Sequence, residues 1–146
     1  MSELKEKALA RFQEGFSCSQ SVFSVFAEKR GLDRETALGI SGAFGGGMAR
    51  MGSVCGAVTG AFMVIGLAYG KTEAKDEDAK EKTYQQVREF VERFQAANGS
   101  TVCKELLGFD LSVPEEAAQA KEKGLFKNLC PRLVENAVEI LEEMLE

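Results

Sequence analysis

One long stretch of the sequence carries no charge, and it limits what the chain can fold into. Residues Met51–Gly70 contain no Asp, Glu, Lys or Arg. About twenty apolar residues can cross a bilayer, but five glycines together with Ser53 and Thr59 dilute the hydrophobicity of this stretch. A helix that is apolar on all sides is also typical of the centre of a globular bundle. We therefore predict a buried central helix, from about residue 53 to 69, and no membrane insertion.

Helix signals occur on both sides of this stretch, and no segment predicts a strand. Ser17 stands three residues before Gln20, which is the pattern of a capping box. Gly15 and Gly99 follow apolar residues at helical spacing, where helices commonly end. The sequence predicts an all-α fold, a single-domain bundle over residues 1–146 with six to eight helices. The predicted N-caps are Ser2, Ser17, Asp33, Ser53, Ser100 and Ser112.

Composition and charge exclude several classes of protein. A chain of 146 residues that is 45% hydrophobic and 28% charged has the composition of an ordinary globular domain. The net charge of -5 and the lack of a Lys/Arg cluster argue against nucleic-acid binding. The N-terminal residues are charged from Glu3 onward and lack the apolar segment of a secretory signal. We therefore expect a cytoplasmic location.

The residues available for chemistry are unusual in one respect. The sequence contains no histidine, which excludes imidazole-based catalysis and imidazole metal ligands. It does contain four cysteines, Cys18, Cys55, Cys103 and Cys130, and no pair of them has C-x-x-C spacing. Any joint site must therefore be assembled by the fold. The alternative is that each cysteine is a small buried hydrophobic residue.

All four cysteines are predicted to lie at the start of a helix. The positive end of a helix stabilises a nearby anion by about 0.3–1 kcal/mol, so it can lower the pKa of a thiol. We expect the four sulfurs to cluster or to form two close pairs. We also expect Cys55, which follows a glycine-rich loop, to be the most reactive thiol.

Glycines surround Cys55. Gly52, Gly56 and Gly60 recur at four-residue steps, and such a bare ridge allows another backbone or a cofactor to approach closely. Tight packing between helices is the favoured explanation, and cofactor binding by Gly56, Gly60 and Cys55 is the alternative. The preceding residues 45–47, all glycine, give a weak signal for an anion-binding loop. Arg50 follows them; a solvated arginine is the favoured interpretation, and a positive charge near Cys55 is the alternative.

Four segments of the sequence resemble a known family. They are "FSCSQSVF", "GGGMARMGSVCGAVTGAFMVIGLAYG", "STVCKELLG" and "CPRLVENAVEIL", and together they are similar to the redox-active proteins named for a C_GCAxxG_C_C pattern. The resemblance runs from about Phe16 to Ile140. It is most specific at residues 55–60, Cys-Gly-Ala-Val-Thr-Gly. It implies that the four cysteines are the family's characteristic ones, and it implies a link to oxidoreductases and transporters and a bound prosthetic group such as an iron–sulfur cluster.

Three functions remain open from the sequence. In the first, Cys18, Cys55, Cys103 and Cys130 are catalytic and cycle between dithiols and disulfides, or transfer electrons, together with a redox partner protein. In the second, the same four cysteines bind a metal, as a zinc or iron–sulfur site. In the third, the chain is a helical interaction module whose cysteines have no chemical role.

Overall fold

The structure, a computed structural model, describes residues 2–145. Within that range eight helices of five residues or more and two four-residue helical segments follow one another, and no strand is present, so the predicted all-α bundle is confirmed. Their bounds are α1 Glu3–Glu14, α2 Cys18–Lys29, α3 Arg34–Ser41, α4 Gly45–Met48, α5 Gly56–Tyr69, α6 Glu77–Asn98, α7 Cys103–Leu107, α8 Pro114–Glu122, α9 Leu125–Asn128 and α10 Cys130–Met144.

Several helix boundaries follow from local capping that the sequence predicts. The Ser17 side chain accepts a hydrogen bond from the Gln20 N–H, and the Gln20 side chain accepts one from the Ser17 N–H, which completes the capping box of α2. The Ser2 side chain caps α1 by accepting a hydrogen bond from the Lys5 N–H, and the Asp33 side chain caps α3 by accepting one from the Thr36 N–H. Gly15 ends α1 with a left-handed backbone. These caps fix the starts of the helices that precede the central helix.

The central helix begins later than the sequence predicts. Its N-cap is Cys55 and not Ser53, and α5 covers Gly56–Tyr69. The carbonyl group of Ser53 accepts a hydrogen bond from the N–H of Cys103 at 2.6 Å, so this residue pairs with a distant segment instead of starting a helix. No helix in residues 2–145 has both the length and the apolar character that crossing a bilayer requires.

Two other predicted caps are also wrong. The Ser100 hydroxyl accepts a hydrogen bond from the Val102 N–H, and Val102 itself is the N-cap of α7. The Ser112 hydroxyl donates to the Asp110 carboxylate at 2.6 Å, and Val113 is the N-cap of α8. In both places the serine side chain stabilises the loop before the helix. The helix therefore begins one or two residues after the position that serine spacing predicts.

The core forms where α5 lies between α2 and α6. Val58, Val64 and Ile65 of α5 are fully buried, as are Phe90 and Phe94 of α6. The rings of these two phenylalanines stack at a centroid distance of 5.8 Å. Helices α1 and α10 also contact α2, and α10 contacts α5 and α6. The apolar character of α5 is thus explained by neighbours on several sides.

The glycine ridge serves this packing. A Cβ atom added at Gly60 would lie 2.9 Å from the carbonyl oxygen of Ser19 in α2, so only glycine allows the two backbones to approach this closely. Gly52 is not part of the ridge, because it lies before α5 with a φ of 70°. The favoured explanation of the ridge, tight helix packing, therefore holds for Gly60.

Candidate functional site

The four cysteines lie around a single cavity of about 350 Å³. Cys18, Cys103 and Cys130 are the first residues of α2, α7 and α10, and Cys55 is the N-cap of α5. The predicted location at helix starts is therefore confirmed for all four. All are free thiols; Cys18 is half-buried, and the others are buried. The fold thus brings together residues that are up to 112 positions apart in the sequence.

Cys18 and Cys130, here called the outer pair, line the cavity together and titrate as coupled thiols. The Cys18 thiol donates a hydrogen bond to the Cys130 sulfur, and this bond lowers the pKa of Cys130 below its ordinary value. The same bond, followed by burial, raises the pKa of Cys18 well above its ordinary value. The first proton lost by the outer pair therefore leaves Cys130, and Cys18 keeps its own proton and stabilises the resulting thiolate.

Cys55 and Cys103, here called the inner pair, flank a short backbone bridge. Val54 and Val102 form an isolated antiparallel bridge. The N–H of Cys55 donates to the carbonyl of Thr101 at 2.8 Å, on one side of this bridge, and the N–H of Cys103 donates to Ser53 on the other. The two segments hold each other in place, so both inner thiols have fixed positions at the cavity wall.

The expectation that Cys55 is the most reactive thiol is wrong. Backbone N–H groups of Ala57 and Val58 do lower its pKa, as expected at a helix start, but burial outweighs them and raises the pKa of Cys55 to about 11. Burial likewise raises the pKa of Cys103 to about 12, and the nearby Asp110 carboxylate adds to this rise. Both inner thiols therefore keep their protons at neutral pH.

The loop before Cys55 has an unusual backbone. Five consecutive residues, Gly46–Arg50, have positive φ values between 57° and 70°, and Met48, Ala49 and Arg50 are not glycine. Each such residue costs roughly 1–2 kcal/mol when it has a side chain, and runs of them are rare. We call this segment the left-handed turn. Strain of this kind persists where the surrounding structure holds it, often at a functional site.

Glycines let the left-handed turn lie between the two cysteine pairs. A Cβ atom at Gly45, just before the turn, would be 2.8 Å from the Cβ of Ser17, beside Cys18. A Cβ atom at Gly47 would be 2.5 Å from the Cβ of Cys103. The sequence signal for an anion-binding loop at residues 45–47 therefore corresponds to close packing against both pairs.

Apolar side chains form most of the remaining cavity wall. They come from α1, from α7 and the loop after it, and from α9 and α10, and none of them is a predicted site residue: Phe12, Leu106, Leu107, Leu111, Phe126 and Leu133. No local motif distinguishes these residues from ordinary core residues. Of the residues that line the cavity in the described part of the chain, Arg50 is the one that carries a charge.

The glycines that the sequence assigned to a cofactor have different positions. Gly56 lines the cavity, and a Cβ atom there would be 3.3 Å from the Cβ of Cys18 and 3.1 Å from the N atom of Ser19. Gly60 lies one turn further along α5, against the backbone of α2, and is not among the residues that line the cavity. Of the three residues in this assignment, Cys55 and Gly56 are thus at the cavity.

The donor set of the cavity suits a soft metal, but its arrangement does not. Four thiols without histidine are typical of zinc and iron–sulfur ligation. Among residues 2–145, however, no group of three or more Cys, Asp or Glu side chains lies close enough together to hold a metal ion.

The fold and the cavity define an all-helical four-cysteine protein whose thiols face one another across a small cavity. Residues 16–144 match the family described as "Putative redox-active protein (C_GCAxxG_C_C)", and the chain belongs to this family. No curated protein and no solved structure matches the chain.

Proposed function

We propose that this protein is a thiol–disulfide oxidoreductase in which Cys130 is the attacking thiol and Cys18 the resolving thiol. The observation that carries this proposal is that Cys18 and Cys130 line one cavity as coupled thiols, of which Cys130 has a lowered pKa and Cys18 a raised pKa. A thiolate is the nucleophile in disulfide exchange, and a neighbouring thiol is needed to complete it. Membership of a family described as redox-active supports the same chemistry.

The proposed reaction uses an external disulfide as the oxidant. The Cys130 thiolate attacks one sulfur of that disulfide, so a mixed disulfide forms and the first thiol leaves. The Cys18 sulfur then attacks the Cys130 sulfur, which forms the Cys18–Cys130 disulfide and releases the second thiol. The protein loses two electrons and the external disulfide gains them. The protons of Cys18 and Cys130 end on the two released thiols, so atoms and charge balance.

The inner pair has a minor role in this proposal. At neutral pH both of its sulfurs are protonated, because burial raises their pKa values to about 11 and about 12. They therefore contribute little to the attack on an external disulfide.

Metal binding by Cys18, Cys55, Cys103 and Cys130 is the second candidate function, because all four thiols line one cavity. Zinc or an iron–sulfur cluster held there would need at least one pair to move toward the other, since no three ligands lie together in residues 2–145. Metal analysis and an absorption spectrum of protein purified without oxygen decide between this candidate and the thiol–disulfide function.

The test is oxidation of the reduced, metal-free protein in a series of dithiothreitol redox buffers. We expect wild type to lose two free thiols together, and mass spectrometry of peptides to find Cys18 joined to Cys130. Cys130→Ser and Cys18→Ser should each abolish this disulfide, and Cys103→Ser is the matched control that retains it. A protein that holds no metal and whose thiols stay reduced in every buffer would contradict the proposal and favour the interaction module.

The proposal includes a location and a partner class. A cytoplasmic location fits it, because thiols there are kept reduced and catalytic disulfides are transient. A redox partner protein with a dithiol of its own would return the Cys18–Cys130 disulfide to the reduced form.

A further inference from the structure

Arg50 lies at the rim of the thiol cavity. Its side chain lines the cavity and also lines a shallow depression on the outside of the left-handed turn, next to Ser17 and Ala49. The residue is exposed to solvent. Arg50 therefore lies where the cavity meets the protein surface.

The left-handed turn directs the Arg50 side chain to this place. With the backbone of residues 46–50 wound in the left-handed sense, the stem of Arg50 folds back over Gly46, and a Cβ atom at Gly46 would be 2.9 Å from the Arg50 Cγ. The N–H of Arg50 donates to the Gly45 carbonyl at 3.1 Å. A strained backbone, a glycine under the stem and a hydrogen bond thus fix the position of one arginine.

In the chain from residue 2 to residue 145 no carboxylate forms an ion pair with Arg50, although six other Lys and Arg residues have such partners. The cavity that it borders has apolar walls, including Phe12, Leu111 and Phe126. A lone positive charge at the mouth of a small apolar cavity attracts an anion whose apolar part can enter.

We propose that Arg50 determines substrate specificity, and that the substrate is a small disulfide carrying a carboxylate. The guanidinium would bind the carboxylate at the rim while the disulfide reaches the outer pair inside. The cavity volume of about 350 Å³ is at the small end of the range for ligand pockets, roughly 300–1,000 Å³, and so favours a small molecule over a folded chain. This inference rests on the proposed thiol–disulfide function.

Three disulfides that differ in charge test the inference. They are 3,3′-dithiodipropionate, which is a dianion, bis(2-hydroxyethyl) disulfide, which is neutral, and cystamine, which is a dication. We expect reduced wild type to react fastest with the dianion. Arg50→Gln should slow that reaction about fivefold and change the neutral reaction less than twofold, because about 1 kcal/mol of charge interaction is lost. Arg50→Lys, which retains the charge, should recover part of the loss.

Arg88→Gln is the matched control for net charge. Arg88 lies on the exposed side of α6, away from the cavity, and its replacement changes the total charge by the same amount. We expect its rates with all three disulfides to equal those of wild type. The inference is overturned if Arg50→Gln slows all three reactions equally, or if Arg88→Gln has the same effect as Arg50→Gln.

Suberate separates this inference from the proposed function. It has the length and the two carboxylates of dithiodipropionate but no sulfur, so its binding does not depend on thiol chemistry. In NMR titrations of the reduced protein, suberate should shift the signals of the left-handed turn in wild type, and Arg50→Gln should bind it about fivefold more weakly. Equal or undetectable binding overturns the inference. Binding through Arg50 in a protein whose thiols never oxidise overturns the proposed function alone.

Discussion

The outer and inner cysteine pairs both begin helices at the same cavity, yet only the outer pair contains a thiol with a lowered pKa, that of Cys130. In the outer pair, Cys18 donates a hydrogen bond to Cys130 and lowers its pKa. In the inner pair, the sulfurs of Cys55 and Cys103 lack such a partner within the described chain, and burial raises both pKa values. A helix start is therefore insufficient by itself to make a reactive thiol.

Relative magnitudes explain the difference. The helix terminus stabilises an anion by about 0.3–1 kcal/mol, whereas removing a charged group from water costs several kcal/mol. At Cys55 the backbone N–H groups act in the expected direction, but desolvation is larger. At Cys130 the hydrogen bond from the Cys18 thiol outweighs desolvation, so the net shift of the Cys130 pKa is downward. The neighbouring sulfur, more than the helix, distinguishes the two pairs.

The largest expected effect concerns the backbone that holds the inner pair. Gly47→Ala places a Cβ atom 2.5 Å from the Cβ of Cys103 and 2.8 Å from the N atom of Ser53, at a φ of 70°. We expect the free energy of unfolding in urea to fall by about 3 kcal/mol, from overlap and backbone strain together.

Gly108→Ala is the control for this variant. Gly108 has a φ of 74° but no atom within 4 Å of the added Cβ, so this change should cost only about 1 kcal/mol. Equal losses in the two variants would mean that strain alone matters, and that the contact between the left-handed turn and the inner pair has no structural importance.

The second prediction concerns the stability of the protein at alkaline pH. The pKa of Cys55 is about 11 in the folded protein, which is above its value in the unfolded chain. At pH values between these two pKa values, the folded state therefore binds more protons than the unfolded chain. This contribution is fully present below the unfolded pKa and is lost as the pH rises through the folded pKa. The free energy of unfolding should fall by about 1.4 kcal/mol per pH unit across this window, or about 2 kcal/mol by pH 10.

Urea unfolding of wild type and Cys55→Ala between pH 8 and pH 10 measures this contribution, because all other titrating groups are common to both proteins. Gly108→Ala, which removes no titrating group, is the control and should keep the alkaline slope of wild type. The same alkaline slope in wild type and Cys55→Ala would contradict the raised pKa of the inner thiol.

The third prediction concerns the order in which the thiols react. With iodoacetamide near neutral pH, Cys130 should be alkylated about tenfold faster than Cys55 or Cys103. The thiolate population differs by more than that, but a more basic thiolate is the better nucleophile, which offsets part of the difference. Peptide mass spectrometry at increasing times gives the order. If Cys55 reacts first, the helix start controls reactivity after all.

The fold could be predicted largely from the sequence because its signals are local. Caps at Ser2, Ser17 and Asp33 and the apolar character of α5 depend on residues that are close in the chain. The prediction was wrong at Ser53, where a bridge to a segment almost fifty residues away replaces the first turn of the helix. Pairing between distant segments leaves no trace in local spacing.

The site could be predicted in part. The four cysteines and their helix starts follow from the sequence, and the glycine run at residues 45–47 marked the loop beside them. The pairing of Cys18 with Cys130 could not be predicted, because it depends on how α10 packs against α2. The left-handed backbone of Met48, Ala49 and Arg50 was also hidden, since none of these residue types favours a positive φ.

The smallest expected effect is the most direct test of what distinguishes the two pairs. Cys18→Ala removes the donor that lowers the pKa of Cys130, so the midpoint of the Cys130 alkylation rate against pH should move to higher pH. A hydrogen bond to a charged group contributes about 1.5 kcal/mol, so its loss reduces the thiolate population roughly tenfold. The remaining Cys130 thiolate is more basic and therefore a better nucleophile, which compensates for about half of this reduction on a logarithmic scale. The rate near neutral pH should therefore fall about threefold.

Cys18→Ser retains an O–H donor and should move the midpoint less, whereas Cys103→Ala should leave it unchanged. If the alanine and serine variants at position 18 have the same midpoint as wild type, Cys18 does not activate Cys130, and the proposed difference between the two pairs is contradicted.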